Sequence, residues 1–260
     1  WCIDPDDIER KIDNQTKAIM VVHLYGHPCD MDAIMKIADE HKLPVIEDCA
    51  EAHGAEYKGR KVGTFGAISC FSFYSNKIIT TGEGGMCLTN SDELATRMRM
   101  FSDQRVQATR PDYYKRYYFY VQGYNYRMTN VQAAIGVAQL KRIDYLIERK
   151  RWMASTYNKF FNGVEGITTQ PEMPWAKNVY WYYSILVDKG VRDKVIQELG
   201  AKGIESRPFF YPMHMLPFYD TKEKMGVAEE LSFSGINLPS GPKLTEGQIK
   251  EVVEAVSSAV

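Results

Sequence analysis

Residues 18–50 read as strand, helix and strand with very short joints: "AIMVVHLYG" (18–26), "CDMDAIMKIADEHK" (29–42) and "LPVIEDCA" (43–50). Two short apolar runs joined by an amphipathic helix are the βαβ signature of a mainly parallel sheet. Met31, Ile34, Met35 and Ala38 fall on one face of the helix, and Asp30 or Asp32 stands near its start. "AISCFSFYS" (67–75) and "GGMCLTN" (84–90) add two strands, and Ser91 caps a helix after them.

Residues 129 to about 161 read as one long helix with room for a bend, with Thr129 as its cap and Val131, Ala134, Ile135 and Ala138 on one face. Such a helix can bridge two domains. Beyond it come strands at 179–187 and 235–240 and a helix at 191–203. A last helix is announced by a Thr245/Gln248 capping box. The expected organisation is a large α/β domain over 1–148 and a small α+β domain over 149–260. By length alone, 260 residues suggest one large domain or two, at roughly 150 residues per domain.

Net charge is -1, from 32 basic and 33 acidic residues, which argues against nucleic acid or a charged membrane surface as partner. No apolar run reaches the length of a membrane span. The chain opens Trp1-Cys2-Ile3-Asp4-Pro5, without Met or a signal-peptide pattern, so a preceding segment is expected in the natural protein. The cysteines are Cys2, Cys29, Cys49, Cys70 and Cys87, an odd number with no CxxC pair, mostly in strand-like runs. Reduced, buried thiols in a cytoplasmic protein are the expectation.

Open α/β sheets hold ligands at the carboxyl ends of their strands. One apolar run ends "IEDCAEAHG", with Glu47, Asp48, Glu51 and His53; another leads to Lys77, followed by Gly82-Glu83-Gly84-Gly85. A carboxylate on one strand end and a lysine on another is what pyridoxal 5'-phosphate needs. Its aldehyde takes a lysine amine, its pyridine nitrogen an Asp, and its phosphate small hydroxyls such as that of Ser72. Burial would raise the share of free amine at Lys77. Simpler readings compete. A lysine at a strand end is usually solvated, and His53 by default is a core histidine. Glu47, Asp48, Cys49, Glu51 and His53 offer metal-ligand chemistry, but alternate strand residues point apart, so the five cannot all converge. The stretch 104–126, "QRVQATRPDYYKRYYFYVQGYNY", mixes basic residues and tyrosines and reads as a subunit-interface loop that partly frames a nucleotide.

"IEDCAEAHGAEYKGRKVGTFGAISCFSFYSNKIITTGEGGM" resembles the cofactor core of the DegT/DnrJ/EryC1/StrS family of sugar aminotransferases. "VHLYGHPCDMDAI", "GYNYRMTNVQAAIGVAQL", "RPFFYPMHMLPFY" and "NLPSGPKLTEGQI" resemble it in the same order, over essentially the whole chain. The branch that makes GDP-perosamine is the most similar. The resemblance implies the fold-type I, aspartate-aminotransferase-like architecture, pyridoxal 5'-phosphate as cofactor, and transfer of an amino group from L-glutamate to a nucleotide-linked keto sugar. Lys77 would bond covalently to the cofactor. Asp48 would pair with the pyridine nitrogen, Ala50 would lie against the ring, and Glu51, where many members have Gln, would stand near the ring hydroxyl. Ser72 would bind phosphate. Asn125 and Arg127 would reach the neighbouring subunit's site in a homodimer or larger even oligomer, and His214 would lie near the sugar. The family also has a segment ahead of these stretches that helps to hold the phosphate. Other reactions on the same cofactor, or a non-catalytic binding protein, are the remaining alternatives.

Overall fold

The computed structural model describes residues 1–103, 119, 121–219 and 223–260. Its contacts divide the chain into two compact units. The first holds Cys2–Asp144 with Trp175–Lys177; the second holds Trp1, Tyr145–Pro174 and Asn178–Val260.

The first unit contains, in chain order, α1 (Pro5–Lys11), β1 (Ile19–Val22), α2 (Met31–His41), β2 (Val45–Asp48), β3 (Glu56–Tyr57), β4 (Arg60–Lys61), β5 (Ile68–Ser72), β6 (Gly85–Leu88), α3 (Asp92–Ser102) and α4 (Asn130–Leu140). Its main sheet runs β1-β2-β5-β6, with β1, β2 and β5 parallel and β6 antiparallel to β5. The Asp30 side chain accepts the Ala33 N–H and so starts α2, whose Met31, Ile34 and Ala38 are buried. Ser91 caps α3 by accepting the Leu94 N–H.

Thr129 and Gln132 form a capping box on α4, but the 129–161 segment is two helices. The chain turns at Lys141 and Arg142, where Arg142 N–H donates to Gln139 O (3.0 Å), and α5 (Ile143–Phe161) follows. The apolar stripe expected on α4 is exposed: Val131 is 72% and Ile135 45% accessible.

The second unit has β7 (Ile167–Thr169), β9 (Tyr183–Val187), β10 (Arg207–Pro208) and β11 (Gly235–Leu238) in an antiparallel sheet of order β10-β11-β9-β7. Helices α5, α6 (Arg192–Ala201), α7 (Gly226–Ser234) and α8 (Glu246–Ser257) accompany it. Its core joins Tyr157, Tyr183, Ile185, Ile236, Ile249 and Val256. Tyr157 and Tyr183 stack 4.4 Å apart. The Thr245/Gln248 capping box opens α8 as expected. Strand β8 (Ala176–Lys177) pairs with β3 and so belongs to the first unit.

Candidate active site

Strand β2 alternates, and the alternation separates two kinds of chemistry. Glu47 and Cys49 point to one side, where they meet His23; the three ligand atoms lie within 4.8 Å of one another. Glu47 is wholly buried. Its Oε1 accepts N–H groups from Phe65 and Gly66 (both 2.7 Å), and its Oε2 accepts the Gly63 N–H (2.6 Å). His23 Nδ1 accepts the Cys29 N–H at 3.0 Å, so its Nε2 carries the proton that faces Glu47 Oε2 at 3.2 Å. Burial pushes the Glu47 carboxyl up, but His23 and the main-chain donors outweigh it and leave it lowered. Both imidazole nitrogens are engaged, and burial pushes the Cys49 thiol up. The hydrogen bonds make this cluster a fastening. It holds the loop 63–66 against β2. At Gly63 φ is +86°, and a Cβ there would lie 2.7 Å from the Phe71 ring.

Asp48 takes the other side. Its Oδ1 accepts the Ala50 N–H at 2.9 Å, which turns the chain just beyond the strand. Glu51 is 8% exposed, and its Oε2 accepts the Tyr25 N–H at 2.7 Å. Desolvation raises its carboxyl to about 7; the Tyr25 N–H and Lys77 pull it down, and Asp48 pushes it further up. Tyr25 sits in a 3-10 turn, Leu24–Gly26, with φ 53° and ψ 16°. The run read as a strand over 18–26 therefore ends at Val22.

Lys77 is not at a strand end. Strand β5 stops at Ser72, paired with Gly85, and Lys77 sits in the loop that follows. That loop is closed at its neck. Phe73 N–H donates to Gly84 O (2.8 Å), Thr81 N–H donates to Phe73 O (2.9 Å), and Lys77 N–H donates to Tyr74 O (3.0 Å). Gly84 has φ +147°, and a Cβ there would meet Thr81 Oγ1 at 2.7 Å. Burial lowers the Lys77 ammonium, while Glu51 and then Asp48 act in the opposite direction. His53 is buried between Phe71 and Phe73, with centroids 5.5 and 5.9 Å away. Neither ring nitrogen makes a hydrogen bond of normal geometry; desolvation lowers the ring to about 4, Lys77 adds to that, and the Ser72 main chain acts weakly the other way. Ser72 Oγ accepts the Tyr74 N–H at a long 3.3 Å.

Asp48, Ala50, Glu51, Ser72 and Lys77 thus gather in one part of the first unit, where Lys77, Asp48 and Glu51 act on one another electrostatically. Asn125 bridges to Asp103 beyond α3, and Arg127 Nε lies 3.2 Å from Asp103 Oδ2. Both side chains are exposed. His214 lies in a 3-10 turn, Met213–Met215, of the second unit. Its Nε2 meets Glu229 Oε1 at 3.0 Å, and its side chain is 8% exposed. Of the Tyr-rich stretch 104–126, residues 104–118 and 120 lie outside the described residues. The cysteines depart from the expectation: Cys29 and Cys49 are buried, Cys2 and Cys70 are partly accessible, and Cys87 is exposed. Tyr25 and His23 are site-building residues that sequence reasoning passed over. A histidine closing an apolar run that lies beside a second run containing a glutamate was the only signal for His23.

The model of the DegT/DnrJ/EryC1/StrS aminotransferase family matches residues 1–257. The chain belongs to this family. It is 48% identical over 259 residues to GDP-perosamine synthase of Escherichia coli O157:H7, across 99% of this chain and 69% of that protein. It is 44% identical over 264 residues to GDP-perosamine synthase of Caulobacter vibrioides, across 99% of this chain and 70% of that protein. The crystal structure of S. venezuelae DesV superposes with a TM-score of 0.89 at 32% identity, covering 99% of this chain and 68% of that one. The fold is that of the fold-type I aminotransferases, and the cofactor is pyridoxal phosphate. The donor set fits that group. It offers a partly desolvated amine, an Asp with one oxygen held by Ala50, a hydroxyl at the end of β5, and beside them a buried imidazole.

Proposed function

We propose that this aminotransferase moves an amino group from L-glutamate to GDP-4-keto-6-deoxymannose and so makes GDP-perosamine. The observation that carries the reading is the 48% identity to a GDP-perosamine synthase over 99% of the chain. The grouping of Asp48, Glu51 and Lys77 supports it chemically.

When bound, pyridoxal phosphate supplies an aldehyde that accepts amino groups and a ring that delocalises the electron pair left when a neighbouring C–H bond ionises. Lys77 would hold it covalently, and its Nζ would serve as the base at the α-carbon of glutamate. In the second half of the cycle the same amine gives a proton to the sugar carbon that receives nitrogen. Asp48 would hold the proton on the ring nitrogen, Ala50 would lie against the ring, and the Ser72 hydroxyl would donate to the phosphate. His214 contacts the keto sugar. The His214–Glu229 pair also supports a packing role for this histidine.

Asn125 and Arg127 act across a two-fold dimer, each completing the site of the other copy. The exposed apolar side of α4 suits such an interface. Five unbridged cysteines suit the reducing cytoplasm, and no helix among the described residues is long and apolar enough to cross a membrane. The test is glutamate-dependent amination of a panel of nucleotide-linked keto sugars, read by mass. GDP-4-keto-6-deoxymannose should be aminated fastest. Preference for another nucleotide overturns the substrate, and turnover without an amino donor overturns the reaction.

A further inference from the structure

A pair of thiols stands at the base of the loop that carries Lys77. Cys70 on β5 and Cys87 on β6 are partners in the strand register, and their sulfurs lie 3.8 Å apart. Residues 71–86, Lys77 among them, run between the two. The pairing is of the kind without hydrogen bonds between the partners, because Cys70 O turns away from β6 and accepts the Cys49 N–H at 2.8 Å. Such a pair sets its Cα atoms about 4.5 Å apart. A disulfide spans about 4.4–6.8 Å between Cα atoms, so rotation of the two side chains brings the sulfurs into bonding range.

The pair lies on the same side of the sheet as Asp48. Cys70 is in register with Asp48 on β2. A Cβ at Gly63 would lie 2.7 Å from the Phe71 ring and 3.2 Å from Cys49 Sγ, so Phe71 shares the side of Cys49, and Cys70 takes that of Asp48. The two thiols are not equivalent. Cys87 is exposed and Cys70 is partly covered. Burial, and after it Cys87 and Asp48, pushes the Cys70 thiol up to about 11. Cys87 is therefore the thiol that an oxidant in solution meets first.

We propose that Cys70 and Cys87 form a reversible thiol–disulfide site, oxidised by hydrogen peroxide, whose bridge fastens the Lys77 loop at its base. The Cys87 sulfur attacks one peroxide oxygen. The O–O bond breaks, an S–O bond forms, and the departing hydroxide takes the thiol proton to become water. The Cys70 sulfur then attacks the Cys87 sulfur. The S–S bond forms, the S–O bond breaks, and the leaving hydroxide takes the Cys70 proton as a second water. Two thiols lose two electrons, and the peroxide gains them. Little of Cys70 is ionised at neutral pH, but its partner stands at contact distance, and proximity offsets the scarcity of thiolate. The bridge would add a covalent tie to a neck that Phe73, Thr81 and Gly84 close with main-chain hydrogen bonds. Thiols in a reducing compartment recover the dithiol once the oxidant is gone. The pair's chemistry is independent of which lysine holds the cofactor.

The experiment uses the full-length, cofactor-loaded protein, reduced and then freed of reductant. It is exposed to hydrogen peroxide, the remaining thiols are blocked with N-ethylmaleimide, and the protein is digested with trypsin without reduction. Cleavage after Lys77 parts the two cysteines into peptides 62–77 and 78–97. These peptides should appear joined, lighter than their sum by two hydrogens, from a chain that still runs as a monomer on a denaturing gel without reductant. Dithiothreitol should separate them. In Cys70→Ser the sulfenic acid on Cys87 has no resolving thiol, so dimedone should trap it there. Amide exchange over 73–84 should be severalfold slower in the bridged protein than in the reduced one. Oxides on Cys87 of the parent without the joined peptide overturn the pair, as does a bridge between any other cysteines or a Cys87 that peroxide leaves intact. Equal exchange in the two states overturns the fastening of the loop.

Discussion

Glu47 and Glu51 flank Asp48 in the chain, both nearly sealed from water, and their carboxyls shift in opposite directions. Glu47 has four donors around it: three main-chain N–H groups and the His23 ring. Glu51 has one main-chain donor, from Tyr25, with Lys77 and Asp48 as charged neighbours. Burial raises both carboxyls, and the fuller set of donors around Glu47 reverses the sign there. A carboxylate with a full set of donors stays charged and fastens a loop. One with a single main-chain donor is left near neutrality, able to gain and lose a proton. One short strand and the turn just beyond it therefore hold two carboxyls in opposite charge regimes.

The largest expected effect falls on the reactive face. Lys77→Ala should abolish amination, with at most a small change in unfolding midpoint, because Lys77 lies in a loop outside the sheet. Residual turnover above a thousandth of the parent's would break the comparison, since it would mean that the reactive face reacts without its amine. On the fastening face, Glu47→Gln keeps the shape but turns an NH2 group towards main-chain donors. It should cost about 3–5 kcal/mol in denaturant unfolding. A loss below about 1 kcal/mol would show that the cluster is not holding the loop 63–66.

Asp48→Asn should retain cofactor and lose about a hundredfold or more in turnover, because an amide cannot keep the ring nitrogen protonated. Equal turnover would remove Asp48 from the ring.

The pH dependence sharpens the contrast further. Glu47 is lowered in the folded state, so its stabilising contribution is present at neutral pH and lost as pH falls below the ordinary carboxylate range. Glu51 is raised to about 7, so its contribution is present in acid and lost as pH climbs from the unfolded value towards 7. Glu51→Gln should therefore match the parent near pH 4 and exceed it by about 2–3 kcal/mol at pH 8. A gap that does not open with pH contradicts the raised carboxyl. The smallest effect is expected at His214. His214→Asn should slow the keto-sugar half-reaction severalfold and spare the glutamate half, followed by stopped-flow absorbance. Equal damage to both halves would assign His214 to packing with Glu229.

Helix starts were legible because capping is local. Asp30, Ser91, Thr129 and Thr245 each accept an N–H within the first turn they begin. The parallel pairing of β1 with β2 followed from the helix between them. Features made by distant partners were not legible. The apolar run through Phe73 and Tyr74 hid the end of β5, because the loop that carries Lys77 is closed by Thr81 and Gly84 across it. The break between α4 and α5 falls on Lys141 and Arg142, two good helix formers with no Gly or Pro to mark it. The Tyr25 backbone carries no sequence signal at all, since a left-handed tyrosine is imposed by its surroundings. In the site itself, Asp48 and Lys77 were singled out from residue type and position, and the structure brings both within electrostatic reach of Glu51. The opposite fates of Glu47 and Glu51 were not, because each depends on donors from other segments.

Lys77 as the covalent anchor is the claim on which the rest depends. Reduction of the cofactor-loaded protein with borohydride, followed by peptide mapping, tests it directly. The account predicts a reduced pyridoxyl group on the peptide that contains Lys77, and its loss in Lys77→Ala. A pyridoxyl group on any other lysine would contradict it.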